Sequence, residues 1–522
     1  MRRNSQKDSF AAGRARGGAL IAEVRSFSSF VTFLVKEAVT DPRGLVRKAC
    51  SKLGLPNAES HFRSTPAELA EYRGDYSHAL ELAGEARVFF HRFRNVLVKK
   101  RVTDELWWFF QAVEASPHQV GTGHTRVLYI AGNSRPHTNS GYSKRTHSLV
   151  KAVHASGIPI SVLTRLGYPS VVGIPFSKTV DQIDSVRYER NMGWIFPVTP
   201  KKEFELAKQG IVRVAKRENA TILHTTTSFK NAVVVSAAAK ELQIPWVYEV
   251  RGEIEKTWLT TTSSGGVTRS MDSDHFRLSR QKELEAATAA SGVVVLSHLS
   301  AEDLVEAGVR RQKICVAPNA AEKSLLQGTM SQREARMRTG VNAEFLVGTV
   351  TSVVGYEGLE TMIRALPLLP DHVSFLVVGD GTDKRRLEAI AAELNLESRV
   401  SFVGRKPQDE IVPWYRSLDA FVVPRIDSPV CRAVTPIKPL AAMALGIPVI
   451  ASDLPALREV TGGCAKYVEP ENPTALAEGI RAVTEGKYES TRARAWAEAR
   501  TWDRVGNVLR EFYQEIEKKG TR

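Results

Sequence analysis

VVPRIDSPVCRAVTPIKPLAAMALGIPVIAS, residues 422–452, reads as one strand–helix–strand unit. An apolar run ending at Val423 stops at Pro424-Arg425, and polar residues follow. Thr435-Pro436-Ile437-Lys438-Pro439 then leads into a helix over Pro439–Ala444. Proline suits a first helical turn, where its missing N–H costs nothing. The next apolar run, Val449–Ala451, is a second strand. Strands that alternate with helices build a parallel sheet covered on both faces.

The same alternation continues on either side. Phe345–Val350, Val373–Val378, Val400–Val403, Ala420–Val423 and Tyr467–Val468 complete this series of strands, after a polar connection around Met330–Asn342. Helices are expected at Leu359–Leu368, Lys384–Leu394, Ile411–Tyr415 and Thr474–Thr484. An earlier series has strands at Val127–Ala131, Ile158–Leu163, Ile222–His224, Trp246–Val250, Val293–Leu296 and Ile314–Ala317, with a helix opening at Gly141. The fold class is therefore α/β, with two tandem Rossmann-like doubly wound domains. The expected boundaries are a helical, basic N-terminal extension over 1–122, a first domain over 123–325, a second over 326–490, and a C-terminal helix over 491–522 that returns to the first domain. Ligands of such sheets bind beyond the carboxyl ends of the strands, at the point where strand order reverses.

Composition narrows the class. The chain has 522 residues, 43% hydrophobic and 25% charged, as in ordinary soluble domains, which excludes collagen, coiled-coil rods and wholesale disorder. Four scattered cysteines make no disulfide framework and no CxxC zinc pair, which points to a reduced, cytoplasmic compartment. No stretch approaches the roughly 18 apolar residues that span a bilayer. The arginines near the N-terminus are not followed by the apolar run of a signal peptide.

The formal net charge is +15, unevenly spread: residues 1–52 hold eleven Lys/Arg and four Asp/Glu. Such a segment is drawn to phosphates. Leu20, Val24, Phe27, Val31 and Leu34 follow helical spacing within it. A basic amphipathic helix of this kind lies in an anionic membrane interface or docks on a neighbouring domain, and both readings stay open here. Helices are also expected at Ala79–Lys100 and Val102–Val113, with Trp107–Phe110 as a packing knot.

Several chemistries are absent: there is no GxxxxGK[ST] loop, no HExxH, no GxSxG elbow and no complete GxGxxG. Asp272-Ser273-Asp274 lies in a Ser/Thr/Gly-rich stretch and reads as a solvated loop rather than a metal site. No metal or cofactor is expected, and no nucleic-acid recognition motif accompanies the basic charge.

Over residues 126–515 the ordered motifs resemble the retaining GT-B glycosyltransferases of family four, the group 1 type. The resemblance rests on Gly141-Tyr142-Ser143-Lys144-Arg145-Thr146-His147, Tyr248-Glu249-Val250-Arg251-Gly252, Glu283, Val316-Ala317-Pro318-Asn319, Tyr356-Glu357-Gly358-Leu359, Gly379-Asp380-Gly381, Phe402-Val403-Gly404 and the 422–452 run. It implies transfer of a hexose from a UDP- or GDP-linked sugar to a glycan or lipid-linked acceptor, at the inner face of the cytoplasmic membrane. Membrane contact would run through residues 1–52, and homo- or hetero-oligomers are compatible. Donor binding falls to Gly141, Gly404, Arg405, Arg425, Arg432, Thr435, Pro436 and Lys438. Basic side chains and a helix start would hold the diphosphate while charge builds on the leaving phosphate. Arg145, His147 and Arg251 are the catalytic candidates, expected to face the cleft.

This chain also departs from the family pattern. Ser352 and Glu357 stand where relatives carry Arg and Lys. The ribose glutamate is replaced by Ala441, and the sugar glutamate falls within Cys431-Arg432-Ala433. Asp427, Asp453 and Glu459 are the nearest replacement carboxylates. The alternative function is a catalytically degenerate scaffold subunit supporting a partner glycosyltransferase.

Overall fold

The computed structural model describes residues 2–53, 64–85, 89–117, 124–260, 268–407, 410–486 and 490–519. The chain forms two compact units. The first comprises residues 1–294, 304–315 and 509–522, and the second residues 295–303 and 316–508. The expected boundary at 325 therefore moves back to about 316, and the extension over 1–122 belongs to the first unit.

The first unit is built on an eight-stranded sheet. Its strands are β1 (Val127–Ala131), β2 (Ile160–Thr164), β3 (Val180–Ile183), β4 (Val186–Glu189), β5 (Ile222–Thr226), β6 (Trp246–Val250), β7 (Gly292–Val295) and β8 (Ile314–Val316). The order is β3-β4-β2-β1-β5-β6-β7-β8. The central strands pair in parallel; Leu128 lies opposite both Ser161 and Leu223. β1 is buried along its whole length, which is why it reads as an unbroken apolar run. β3 and β4 form an antiparallel edge hairpin that the sequence reading missed. Polar residues interrupt both strands, and only Val186 and Tyr188 are buried, so no apolar run marks them.

Helices of the extension cover this sheet. Tyr76–Gly84 and Phe89–Phe110 replace the two expected helices, and residues 86–88 of the expected Ala79–Lys100 helix lie outside the described residues. Trp108 and Phe109 are buried, and Phe109 stacks on Phe229 with centroids 4.8 Å apart. The expected packing role holds for Trp107, Trp108 and Phe109, whereas Phe110 is 73% exposed and lies outside the knot. Ser273 N-caps the helix Asp274–Ala289, and Asp274 accepts from the Ser77 amide at 2.9 Å. The Asp-Ser-Asp stretch is thus a helix start.

The second unit holds β9 (Phe345–Val350), β10 (Val373–Val378), β11 (Val400–Phe402), β12 (Ala420–Val423), β13 (Val449–Ser452) and β14 (Lys466–Val468). Their order is β11-β10-β9-β12-β13-β14, and the registers between neighbours are parallel. Numbered within the unit this is 3-2-1-4-5-6, the doubly wound order whose reversal lies between the first and fourth strands. Here that is between β9 and β12. Apolar clusters fill both faces, one around Phe421, Leu440 and Met443, the other around Met362, Ile363 and Phe375.

Two expected elements differ. The polar connection at Met330–Asn342 contains the helix Gln332–Thr339, capped by Ser331 and closed by Gly340 in the left-handed region. Only Ala335 of it is buried, so no apolar stripe shows in the sequence. The single C-terminal helix is two, Ser490–Ala499 and Trp502–Lys519. The Ala321 amide donates to the Arg500 carbonyl at 2.9 Å and Ala321 bridges Thr501, which interrupts the helix there.

Candidate functional site

The carboxyl ends of β9 and β12 bring four sequence-distant residues together. Thr351 follows β9, Glu357 lies in the turn after it, Arg425 follows β12, and Lys438 opens the helix Lys438–Ala444. The Arg425 guanidinium donates through Nη2 to Glu357 Oε1 at 2.9 Å and through Nε to Oε2 at 3.4 Å. Its Nη1 donates to the Val434 carbonyl at 3.0 Å, tying β12 to the segment before the helix. Lys438 Nζ donates to Thr351 Oγ1 at 3.0 Å and lies 3.8 Å from Glu357 Oε1.

Two cations therefore share one buried carboxylate. Burial alone would raise the Glu357 pKa, but Arg425 and Lys438 outweigh it and hold the group at about 2. Arg425 and Glu357 are almost fully buried, whereas the Lys438 side chain is 31% exposed. The surplus positive charge of the cluster thus reaches solvent through Lys438, at the switch point of the sheet.

Backbone geometry keeps the cluster tight. Gly358 has φ +67°, and a Cβ there would meet the Pro424 carbonyl oxygen at 1.9 Å. Only glycine lets the turn after β9 lie against the end of β12. Thr435 and Pro436 are buried beside the cluster, and the Thr435 carbonyl accepts from Asn319 Nδ2 at 3.3 Å.

The remaining donor-side candidates are placed differently. Gly404 has φ +71°, and its carbonyl accepts from the Gly379 amide at 3.0 Å. It sits at the carboxyl end of β11, on the same sheet edge, with Arg405 exposed after it. Arg432 is half exposed and forms a two-pronged pair with Asp427, Nε–Oδ1 2.5 Å and Nη2–Oδ2 2.6 Å. The other replacement carboxylates are also engaged. Asp453 pairs with Arg458, and Glu459 accepts from the amides of His298 and Leu299 at 2.6 and 3.1 Å.

In the first unit, Gly141 is the first residue of the helix Gly141–Ala155, whose start is closed by reciprocal Ser140 and Ser143 bonds. Arg145, His147 and Arg251 do not present open faces, contrary to the expectation. Arg145 Nε donates to Glu249 Oε1 at 2.8 Å. Arg251 Nη2 donates to Glu249 Oε2 at 2.8 Å and to the Tyr129 hydroxyl, while Nη1 donates to Thr146 Oγ1 at 2.8 Å and to the Tyr142 carbonyl at 2.9 Å. Glu249 is fully buried; burial would raise its pKa, but Arg251 and Arg145 hold it well below the usual range. His147 lies between the Tyr188 hydroxyl at 2.8 Å and Asp184 Oδ2 at 2.9 Å. Burial lowers its pKa despite that carboxylate. These side chains brace the glycine-loop helix against β4 and β6, because a buried guanidinium needs a carboxylate partner.

Sequence reasoning did not assign Glu357 or Glu249 to these networks. The available signal was a glutamate beside an arginine in Tyr248-Glu249-Val250-Arg251, and a glutamate in a position where relatives are basic.

Comparisons with known proteins agree with this architecture. The family model described as "Glycosyl transferase 4-like domain" matches residues 140–320, and "Glycosyl transferases group 1" matches residues 344–485. The chain is 28% identical over 184 residues to a 2-deoxystreptamine glucosyltransferase of Streptomyces kanamyceticus, covering 34% of this chain and 46% of that protein. It is 34% identical over 148 residues to the lipopolysaccharide core biosynthesis mannosyltransferase LpsB of Rhizobium meliloti, covering 26% and 40%. The chain spans about half or less of the length of these curated relatives. Among solved structures, sucrose-phosphate synthase from Thermosynechococcus elongatus superposes with a TM-score of 0.60 at 20% identity, over 75% of this chain and 99% of that one. Anabaena HepE in complex with UDP and glucose gives 0.55 at 18%, over 76% and 99%. With two adjacent family models over more than half of its length and two mostly parallel sheets of matching architecture, the chain belongs to the group 1 glycosyltransferases of the GT-B fold.

Proposed function

We propose that the protein transfers a hexose from a UDP- or GDP-linked sugar to a glycan or lipid-linked acceptor, with retention of configuration. The observation that carries this reading is the Arg425–Glu357–Lys438 cluster at the β9/β12 switch point. In this reading the donor diphosphate meets Lys438, whose ammonium offsets the negative charge that builds on the leaving phosphate. Glu357 and Arg425 fix the position of that ammonium before the donor arrives, so little reorganisation accompanies the reaction. The bond from the anomeric carbon to the phosphate oxygen breaks, and the acceptor oxygen bonds to the same carbon from the same face. The acceptor proton passes to the departing phosphate, so the step requires no protein base, and Lys438 takes up the phosphate charge.

Arg145, Arg251 and His147 serve this reading as positioning residues: they hold the helix that begins at Gly141. Gly404, Arg405, Thr435 and Pro436 shape the donor side, and Arg432, already neutralised by Asp427, lies at its margin. Work on lipid-linked acceptors places the protein at the inner face of the cytoplasmic membrane as a peripheral protein. Among the described residues no helix is long and apolar enough to cross a membrane.

The test is turnover. The full chain is incubated with UDP- and GDP-hexoses and a lipid extract of an envelope, and release of nucleoside diphosphate is followed with the anomeric configuration of the product by NMR. The reading expects release with a retained anomer. An inverted product contradicts retention, and nucleotide binding with neither transfer nor hydrolysis replaces the enzyme with the scaffold subunit.

A further inference from the structure

Over residues 20–40, the helix Arg2–Thr40 leaves much of its apolar surface open to water. Its inward face is small and polar: Ala22, Ser26 and Ser29 are buried, Ser26 Oγ bonds Ser177 Oγ at 3.0 Å, and the Phe196 amide donates to Thr32 Oγ1 at 2.8 Å. Its apolar stripe faces outward, with Val24 50% and Val35 57% exposed and Leu20, Phe27, Val31 and Val39 similarly bare. The sequence left open whether this helix docks on the neighbouring domain or lies in a membrane interface; it docks through its other face and through Phe27, and leaves most of the stripe open.

Apolar residues of the first α/β unit continue the patch. Phe176 stacks on Phe27 with centroids 5.2 Å apart, and Trp194, Ile195 and Val198 are all about half exposed or more. Beside them an open pocket of about 640 Å³ is lined by Arg25, Arg187, Glu189, Trp194, Arg213 and Arg217. Arg25 lies over the Trp194 ring at 5.0 Å, and its buried Nε has no acceptor among the described residues. Glu189 and Glu218 both pair with Arg187 and Arg217, which leaves Arg25 and Arg213, neither in an ion pair among the described residues, as the excess charge. The pocket therefore keeps a positive excess. Lys201 and Lys202, also exposed, follow Val198 in the sequence.

We infer that this face seats on an anionic bilayer: the stripe and the Trp194–Ile195 loop enter the interface, and the arginine pocket takes a lipid phosphate headgroup. An apolar stripe bordered by cations and an interfacial tryptophan is the chemistry of a helix lying in the membrane plane. A patch of this extent left open to water is otherwise unfavourable. The pocket selects anionic over zwitterionic lipid because each cation near a charged leaflet contributes binding energy that falls away within a Debye length. The inference rests on the peripheral-membrane reading above and names the surface and the headgroup chemistry.

Co-sedimentation of the full chain with phosphatidylcholine vesicles carrying about 30% phosphatidylglycerol tests it. Binding is expected at low salt, with release on adding salt and little binding to phosphatidylcholine alone. Val31→Asp and Ile195→Asp, both on exposed positions, should abolish it. The Arg25→Ala, Arg213→Ala double variant should lose about thirtyfold, roughly fivefold per cation. Nucleotide affinity of all three variants should equal wild type, which separates failure here from failure of the donor site. Wild-type protein that ignores anionic vesicles overturns the membrane face. Unchanged binding by the double variant overturns the headgroup pocket. A dimer that Val31→Asp disperses, in protein that ignores vesicles, assigns the stripe to a second copy instead.

Discussion

Glu357 and Glu283 are both buried carboxyls, yet their surroundings drive them in opposite directions. Glu357 faces two cations and is held at about 2. Its contribution to stability is present above the unfolded value near 4.5 and is lost as pH falls toward 2. Glu357→Gln leaves Arg425 buried against a neutral partner. Breaking a buried pair in this way costs about 3 kcal/mol, read as a lower urea midpoint at pH 7. Glu283 receives the Tyr248 hydroxyl at 2.5 Å and the Phe229 amide at 2.8 Å, but no cation lies close enough to offset its burial. Burial pushes it up to about 7. The folded state favours its protonated form, so this contribution is full below pH 4.5 and is lost as pH rises through about 7, on the order of 3 kcal/mol in all. Glu283→Gln mimics the protonated acid and should flatten the decline in stability between pH 5 and 7.5. An unchanged slope would assign the decline to other groups.

The elements differ in how much their sequences reveal. β9, β10, β12 and β13 are covered on both faces, so burial demands apolar residues at successive positions and the strands stand out as runs. β3 and Gln332–Thr339 are mostly only partly covered, and in β4 buried Val186 and Tyr188 alternate with partly covered residues, so no apolar run forms and the pattern fades. The site divides along the same line. Arg425 and Lys438 were legible because a strand end and a helix start in a doubly wound sheet mark the ligand edge. Their shared partner was not, since Glu357 lies 68 residues before Arg425 and meets it only after the sheet closes. Arg145 and Arg251 show the converse: position near strand ends suggested a ligand, while Glu249, on β6 itself, claims both. Gly358 links elements to site most sharply. Gly358→Ala places a Cβ against the Pro424 carbonyl at a φ that disfavours side chains. A loss of at least about 2 kcal/mol is expected by thermal melt, with weaker nucleotide binding because the end of β12 moves. A variant that melts and binds like wild type would show that the turn has room to yield.

For the whole molecule, the C-terminal segment completes the first unit. Residues 509–522 belong to it; the Tyr513 hydroxyl lies 2.6 Å from His224 Nδ1, and Glu517 accepts from Thr125 and Thr221 at 2.5 Å. Tyr513 is fully buried, so Tyr513→Ala should cost about 3–5 kcal/mol. The loss should appear in hydrogen exchange of the first unit's strands and leave those of the second unit protected. Equal deprotection of both sheets would contradict that division.

The central claim is that the β9/β12 switch point of the second unit receives the nucleoside diphosphate, with Lys438 as its phosphate contact. Calorimetric titration of UDP and of GDP into the full chain and its Lys438→Ala variant tests this most directly. At least one nucleotide should bind wild type, and the variant should bind it at least about tenfold more weakly, a loss of about 1.4 kcal/mol. Equal affinity in a variant with an unchanged melting curve would remove Lys438 from the site.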